Sequence, residues 1–153
     1  MDRQYMLGGD LLVAPIFNAQ GIASYYLPEG KWTNILTETV SCGGRWMKES
    51  YDFMTLPLMA RPGSVIPIGA VCKRPDYDYL SDVALHIYQM EDGDERTVRI
   101  PDLQGNTAAV FRIECRERRI YIQTDSDQAY RVAIHRDGQL REKKGLLGDV
   151  IVE

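Results

Sequence analysis

The chain has 153 residues and a mass of 17.4 kDa, which suits one domain or two small ones and excludes a large multi-domain assembly. Lysine and arginine number 18 against 22 aspartates and glutamates, so the net charge is −4 and no basic surface is expected for a phosphate backbone. Nucleic acid is therefore not an expected partner. Apolar residues make up 44% of the sequence, but no apolar run approaches the roughly 20 residues that span a bilayer, so no membrane association is expected.

Short strand patterns, separated by proline and glycine, fill the first half of the sequence. The apolar run from Leu11 to Phe17 predicts a strand that is covered on both faces. Residues 23–27 predict a second strand, which ends at the turn sequence Pro28-Glu29-Gly30, and residues 31–33 follow as the return strand of a hairpin. The prolines within residues 51–68 confine that segment to short strands and turns.

The second half alternates apolar and polar residues with a period of two, which is typical of strands with one face in a core. This pattern predicts a β-meander. No window of eleven or more residues places apolar side chains at helical spacing, so we expect no helix longer than one turn. The stretch from Gly138 to Gly145 fits neither pattern. The alternation occurs in residues 84–88, 96–100, 109–115, 120–122 and 130–134.

Strands at roughly 8–12-residue spacing with turn signals between them favour an all-β fold of the sandwich type. A change in composition near residues 69–75 predicts a boundary between two small antiparallel β-sandwich domains. We place a proximal β-sandwich in residues 1–72 and a distal β-sandwich in residues 73–153. Domains of this size bury only about 60% of their unfolded surface, so we expect the two halves to lean on one another.

The cysteines support neither a disulfide framework nor a metal site. Cys42, Cys72 and Cys115 are an odd number and widely separated, and only His86 and His135 could assist them as ligands. We interpret the histidines as packed or surface residues and the cysteines as buried or half-buried thiols in a reducing cytoplasm. The sequence opens without an export signal, so we expect a cytoplasmic location, with no cofactor and no metal.

No combination of residues predicts catalysis. Paired carboxylates could hydrolyse glycosides, but the acidic clusters in residues 76–82 and 91–95 have turn sequences in which Asp and Gly serve the backbone. A cation site in the first cluster fails because the spacing of ligands and glycine in a calcium loop is not met. Ser64 lacks the sequence context of a hydrolase nucleophile. We therefore assign no catalytic residue.

Aromatic residues are the one feature that could bind a ligand without acids. Tryptophan and tyrosine faces stack on sugar rings, so Trp32 and Trp46 are the candidate sugar-binding residues. The alternative is that the aromatic side chains of the first half fill a core and an inter-domain face. Tyr25 and Tyr26 cannot both point outward from one strand, which favours the second interpretation for part of the set.

Several motifs occur in the order in which one enzyme family has them. Residues 2–15 read D-R-Q-Y-M-L-G-G-D-L-L-V-A-P, residues 26–33 read Y-L-P-E-G-K-W-T, and residues 56–67 read L-P-L-M-A-R-P-G-S-V-I-P. Residues 74–95 add an R-P-D-Y motif and an acidic turn with glycine. These motifs resemble the region that follows the catalytic barrel in glycoside hydrolase family 31, the α-glucosidases and α-xylosidases.

The resemblance implies proximal and distal C-terminal β-sandwiches that pack against a (β/α)₈ barrel. The family's two catalytic aspartates lie in barrel loops, and no W-x-D-M-N-E-like motif occurs in this sequence, so no catalytic residue is transferred. We expect a non-catalytic accessory region of a retaining α-glycosidase, most similar to the α-xylosidases. It would support the barrel, would be inactive alone, and could form homo-oligomers through an exposed face.

Two other functions stay open: a carbohydrate-binding module that uses exposed Trp and Tyr, and a pure interaction module. We expect the chain to be a piece of a longer enzyme that starts at an internal methionine, or else a free-standing module.

Overall fold

The computed structural model describes residues 3–70 and 75–153. Within these ranges the chain forms fifteen β-strands and no helix, so the all-β prediction is confirmed. It follows that no helix able to cross a membrane occurs in the described ranges. The strands are β1 (Tyr5–Leu7), β2 (Leu11–Val13), β3 (Ile22–Leu27), β4 (Lys31–Asn34), β5 (Val40–Cys42), β6 (Arg45–Ser50), β7 (Leu58–Ala60), β8 (Ser64–Ile68), β9 (Ala84–Tyr88), β10 (Glu95–Pro101), β11 (Thr107–Arg116), β12 (Arg119–Thr124), β13 (Tyr130–Arg136), β14 (Gln139–Leu146) and β15 (Val150–Val152).

The strands of the first half form a five-stranded sheet and a two-stranded ribbon. The sheet has the order β1-β2-β7-β4-β5, and the ribbon pairs β3 with β6. All of these pairs are antiparallel. The alternating strands place one apolar face of each element in a shared first core. The first core consists of Leu12, Ala14, Ala23, Tyr25, Leu27, Trp32, Met47 and Met59.

The turn at residues 28–30 does not close a hairpin, so that prediction is wrong. β3 pairs with β6, whereas β4 pairs with β5 and β7, and the turn therefore carries the chain from the ribbon to the sheet. The indole N–H of Trp32 donates to the carbonyl of Pro28 over 2.9 Å, and the N–H of Gly43 donates to the carbonyl of Gly30 over 2.8 Å. The carbonyl groups of the turn are thus bonded to the Trp32 side chain and to Gly43, and not to a hairpin partner strand.

The second half is a sandwich of two four-stranded sheets. One sheet has the order β10-β11-β12-β15, and the other has the order β14-β13-β9-β8. β10, β11 and β12 follow one another as the predicted meander, and residues 139–146, which fitted no sequence pattern, form the edge strand β14. Seventeen buried side chains lie between the two sheets in the second core, among them Leu85, Ile87, Phe111, Ile122 and Tyr130.

A parallel pair interrupts the predicted meander. β13 pairs in parallel with β9, from Arg131 opposite Ala84 to His135 opposite Tyr88, so the meander prediction is wrong for these two strands. The period of two assigns each side chain to a face of the sheet, but it carries no information about which strand lies alongside.

β8 connects the two halves. It follows the strands of the first sheet, yet it pairs antiparallel with β9 from Ser64 opposite Tyr88 to Ile68 opposite Ala84, and Val65 belongs to the second core. The predicted boundary between residues 72 and 73 lies in residues 71–74, outside the described residues, and it stays a prediction.

Replacing Trp32 with alanine should lower the free energy of unfolding by about 3–5 kcal/mol, because a large buried side chain leaves a cavity. Trp32 is 2% exposed, and its N–H is bonded to Pro28. Urea unfolding measures the loss. Trp46→Ala is the matched control, since Trp46 is 71% exposed and contributes mainly one aromatic contact. That variant should lose no more than about 1.5 kcal/mol, and equal losses in the two variants would contradict the assignment of Trp32 to the core.

Candidate functional site

The structure separates the two predicted sugar-binding residues. Trp32 lies on β4 inside the first core and offers neither ring face to a ligand. Trp46 lies on β6 and is exposed, because its neighbour Met47 takes the inward position on the same strand. Sugar binding at Trp46 stays a prediction, whereas the burial of Trp32 leaves that side chain with a packing role.

Trp46 is part of an exposed aromatic pair on the outer face of the ribbon. Tyr26 lies directly opposite it on β3, with the two ring centroids 5.8 Å apart and the rings inclined at 67°. Tyr25, one residue earlier, is fully buried, as the alternation requires. Gln4 bonds to the backbone of Tyr26 in both directions, over 2.8 Å and 2.6 Å, and so holds the edge of the ribbon beside the pair.

Three large apolar side chains are exposed on two neighbouring loops of the first half. We define the loop cluster as Phe17, Phe53 and Met54, all of which are largely or fully exposed. Hydrogen bonds tie the two loops together, with the N–H of Tyr51 donating to the carbonyl of Gly21 over 2.9 Å and the N–H of Ala14 donating to that of Pro57 over 3.0 Å.

The loop that carries Phe53 and Met54 also has internal support. The carboxylate of Asp52 accepts hydrogen bonds from the N–H of Met54 over 3.0 Å and from the hydroxyl of Thr55 over 2.6 Å. These bonds to the charged form lower the pKa of Asp52, with the Thr55 hydroxyl contributing most. The apolar side chains are therefore presented on a loop with a defined shape.

Two histidines that are far apart in sequence meet on the outer face of the β14-β13-β9-β8 sheet. His86 Nδ1 lies 3.0 Å from His135 Nε2, and the ring of Tyr88 stacks on that of His135 with centroids 4.3 Å apart. The parallel register of β9 and β13 creates this contact, and sequence reasoning missed it. Both histidines occupy the outward positions of alternating strands, which was the only available signal.

The same face contacts the first half. Gln89, which follows β9, donates from Nε2 to Thr33 Oγ1 over 3.1 Å, and this bond is buried. Gln89 Oε1 accepts from the N–H of Asp137 over 3.0 Å, and Asp137 in turn forms an ion pair of 2.7 Å with Lys31. Strand β4 thus lies against the second sandwich beside the histidines.

Burial lowers the pKa of both histidines. For His135, the neighbouring His86 lowers the pKa further, while Glu38 and Glu142 oppose the shift. The pKa of His86 is also raised by Glu142 and Glu38, which oppose the effect of burial, and it is lowered further by Arg131. The nitrogen-to-nitrogen contact needs one N–H and one lone pair, so protonation of both rings would break it.

The stability of the protein should therefore fall as the pH drops below about 6.5, the ordinary pKa of histidine. The folded-state pKa values are lowered, so the unfolded chain binds more protons in this range and the free energy of unfolding decreases with falling pH. Urea unfolding at several pH values between about 7.5 and 5 measures the slope. His135→Gln and His86→Gln should each reduce that slope, and an unchanged slope in both variants would contradict the assignment.

Three aspartates of the acidic clusters accept hydrogen bonds from the backbone, as the turn interpretation predicts. The carboxylate of Asp92 accepts from the N–H of Arg118 over 2.7 Å, and that of Asp94 accepts from the N–H of Glu91 over 2.9 Å. Asp78 accepts in the same way from a turn N–H over 3.0 Å. Within the described ranges, no three His, Cys, Asp or Glu side chains are grouped so that they could hold a metal ion.

The cysteines divide between core and surface. Cys115 is buried in the second core, which confirms the expectation for that residue, and burial raises the pKa of its thiol. Cys42 is exposed at the end of β5, so the expectation of burial is wrong there. Cys72 lies outside the described residues.

The described residues form an all-β region with two cores. Two family profiles match consecutive parts of the sequence: "Glycosyl hydrolase family 31 C-terminal domain" matches residues 1–66, and "Alpha-xylosidase YicI, C-terminal domain" matches residues 78–152. The chain belongs to the C-terminal region of glycoside hydrolase family 31. The resemblance found in the sequence motifs is confirmed.

Individual relatives agree with this assignment. Alpha-xylosidase XylQ of Lactiplantibacillus pentosus is 41% identical over 124 residues, which cover 79% of this chain and 16% of that protein. An alpha-xylosidase of Emericella nidulans is 42% identical over 84 residues, which cover 50% of this chain and 11% of that protein. The chain therefore spans only a small part of the length of the curated relatives that it matches.

Solved structures share the fold. The GH31 alpha-xylosidase of Xanthomonas citri superimposes with a TM-score of 0.75 at 19% identity, covering 98% of this chain and 19% of that chain. The cycloalternan-forming enzyme of Listeria monocytogenes, solved with a pentasaccharide substrate, gives a TM-score of 0.73 at 25% identity and covers 88% of this chain and 14% of that chain.

Proposed function

We propose that the chain is a non-catalytic accessory region of a retaining α-glycosidase, which braces the catalytic barrel of an enzyme that acts on α-linked xylosides or glucosides. The family assignment and the alpha-xylosidase relatives support the parent activity. The observation that carries the bracing role is the loop cluster of Phe17, Phe53 and Met54, whose apolar side chains are exposed on loops that are held in shape by hydrogen bonds.

Large apolar side chains exposed on ordered loops contact water unfavourably, and a partner surface would remove that contact. The chain spans a small fraction of its relatives, so the rest of such an enzyme supplies the obvious covering surface. Strand β1 adds three exposed apolar side chains at the edge of the first sheet. We therefore assign the barrel-facing surface to the first half.

A complementation experiment tests the bracing role. XylQ truncated before the region that matches this chain should have little α-xylosidase activity, and adding the 153-residue chain should restore part of it. A Phe53→Asp/Met54→Asp double variant should weaken this restoration by tenfold or more, about 1.4 kcal/mol of binding free energy, because it places charges in an apolar contact.

Leu103→Asp is the matched control, since Leu103 is an exposed apolar residue on a turn of the second half and should leave the restoration unchanged. The assignment of the barrel-facing surface would be contradicted if both variants lost the same share of the restored activity, or if neither variant lost any. The chain assayed alone on p-nitrophenyl α-xyloside and α-glucoside should show no turnover.

Carbohydrate binding is the second candidate function, and the exposed pair of Tyr26 and Trp46 favours it. Calorimetric titration with xylose and glucose oligosaccharides should then give heat that is reduced in Trp46→Ala. Homo-oligomerisation is the alternative use of the exposed apolar surface, and a clean monomer by light scattering at high concentration would count against it.

A further inference from the structure

The outer face of the β10-β11-β12-β15 sheet, on the side away from the second core, carries a groove of about 520 Å³. This volume is in the range of sites that bind small ligands. We call it the outer groove and define it by six side chains from the four strands. They are Glu95, Arg112, Glu114, Tyr121, Gln123 and Ile151.

The register of the sheet sets the arrangement of these side chains. One row across the four strands runs from Glu95 to Glu114, Tyr121 and Ile151, each directly opposite the next. The neighbouring row places Arg112 opposite Gln123. Alternate residues of the two central strands are buried in the second core, so the groove is built on a rigid base.

The side of the outer groove formed by β12 and β15 is apolar. Tyr121 is half-buried and lies beside Ile151, which is well exposed at the edge strand. The guanidinium of Arg116 lies over the Tyr121 ring, 5.7 Å from its centroid, and is paired with the carboxylate of Glu114, so it covers one face of that ring. The C–H face of a pyranose ring packs well against an apolar strip of this kind.

Polar groups with free hydrogen-bonding capacity flank the strip. Among the described residues, the guanidinium of Arg112, the amide of Gln123 and the hydroxyl of Tyr121 form no side-chain hydrogen bond. Together they offer both donors and acceptors on one face. A ligand with many hydroxyl groups can use both kinds.

The charges around the groove nearly cancel. Its outer face carries the carboxylates of Glu95, Glu114 and Asp149 and the guanidinium groups of Arg112 and Arg116, so the formal charge is −1 and the local field disfavours an anion. Arg96 is not counted, because it lies opposite Ile113 on the core side of the sheet and its guanidinium lies near Gly63. A phosphate-bearing or strongly acidic ligand would therefore gain little.

The outer groove also faces away from the first half. The first half contacts the opposite sheet of the sandwich, through the bond between Thr33 and Gln89. The groove lies across the second core from this contact and stays open when the two halves are together.

We propose that the outer groove binds a neutral oligosaccharide. One pyranose ring packs against Tyr121 and Ile151, and its hydroxyl groups bond to Arg112 and Gln123. A bracing role needs no ligand, so this site is independent of the proposed function, and it lies on a different surface from the Tyr26–Trp46 pair.

Titration of the ¹⁵N-labelled 153-residue chain with isomaltotriose, followed by NMR, tests the proposal. The amide shifts of β11 and β12 should change, with saturation at about 10 mM ligand for a Kd of about 1 mM. Tyr121→Ala should weaken binding at least tenfold, and Gln123→Ala, which alters only an exposed side chain, should weaken it severalfold even if the tyrosine variant is poorly folded. Trp46→Ala is the matched control and should bind as the unaltered chain does.

No shift at about 10 mM isomaltotriose would overturn the proposal. So would binding that is lost in Trp46→Ala and kept in Tyr121→Ala, since the ligand would then lie on the ribbon. Affinity that falls when the salt concentration is raised tenfold would contradict recognition of a neutral ligand.

Discussion

The antiparallel pairing of β8 with β9 is the contact on which the relation between the two halves depends. β7 lies in the first sheet, and three residues later the chain enters β8, which supplies Val65 to the second core. The N–H of Gly63, in the turn between them, donates to the carbonyl of Tyr88 over 2.7 Å. Backbone hydrogen bonds therefore tie the first sheet to the second sandwich within one short segment, and the contacts of Gln89 and Asp137 with β4 add to them.

Local patterns were sufficient for some features and insufficient for others. The period of two predicted the all-β class and the opposite orientations of Tyr25 and Tyr26, because both depend only on residues within one strand. Local patterns do not determine which strands become neighbours in a sheet, because that depends on the packing of whole sheets. The role of the turn at residues 28–30 and the pairing of β9 with β13 both depend on such neighbours. The contact between His86 and His135 follows from that pairing.

The family assignment explains why the described residues contain two well-packed cores together with apolar side chains on the surface. Under the proposed bracing role, the exposed apolar side chains form the surface that the barrel of such an enzyme would cover. The loop cluster, the aromatic pair and the outer groove consist of different side chains. Bracing, sugar stacking and oligosaccharide binding in the groove therefore do not compete for the same side chains.

The unequal burial of the two tryptophans has a spectroscopic consequence. Both lie in the first half, with Trp32 inside its core and Trp46 in solvent, so the second sandwich contributes no indole emission. Emission that resists an aqueous quencher reports on the packing around Trp32, whereas the quenched fraction reports on the ribbon surface. Circular dichroism records the strands of both halves. Coincident transitions by the two methods would show that the halves unfold as one cooperative unit, and separate transitions would show that β8 joins two units of different stability.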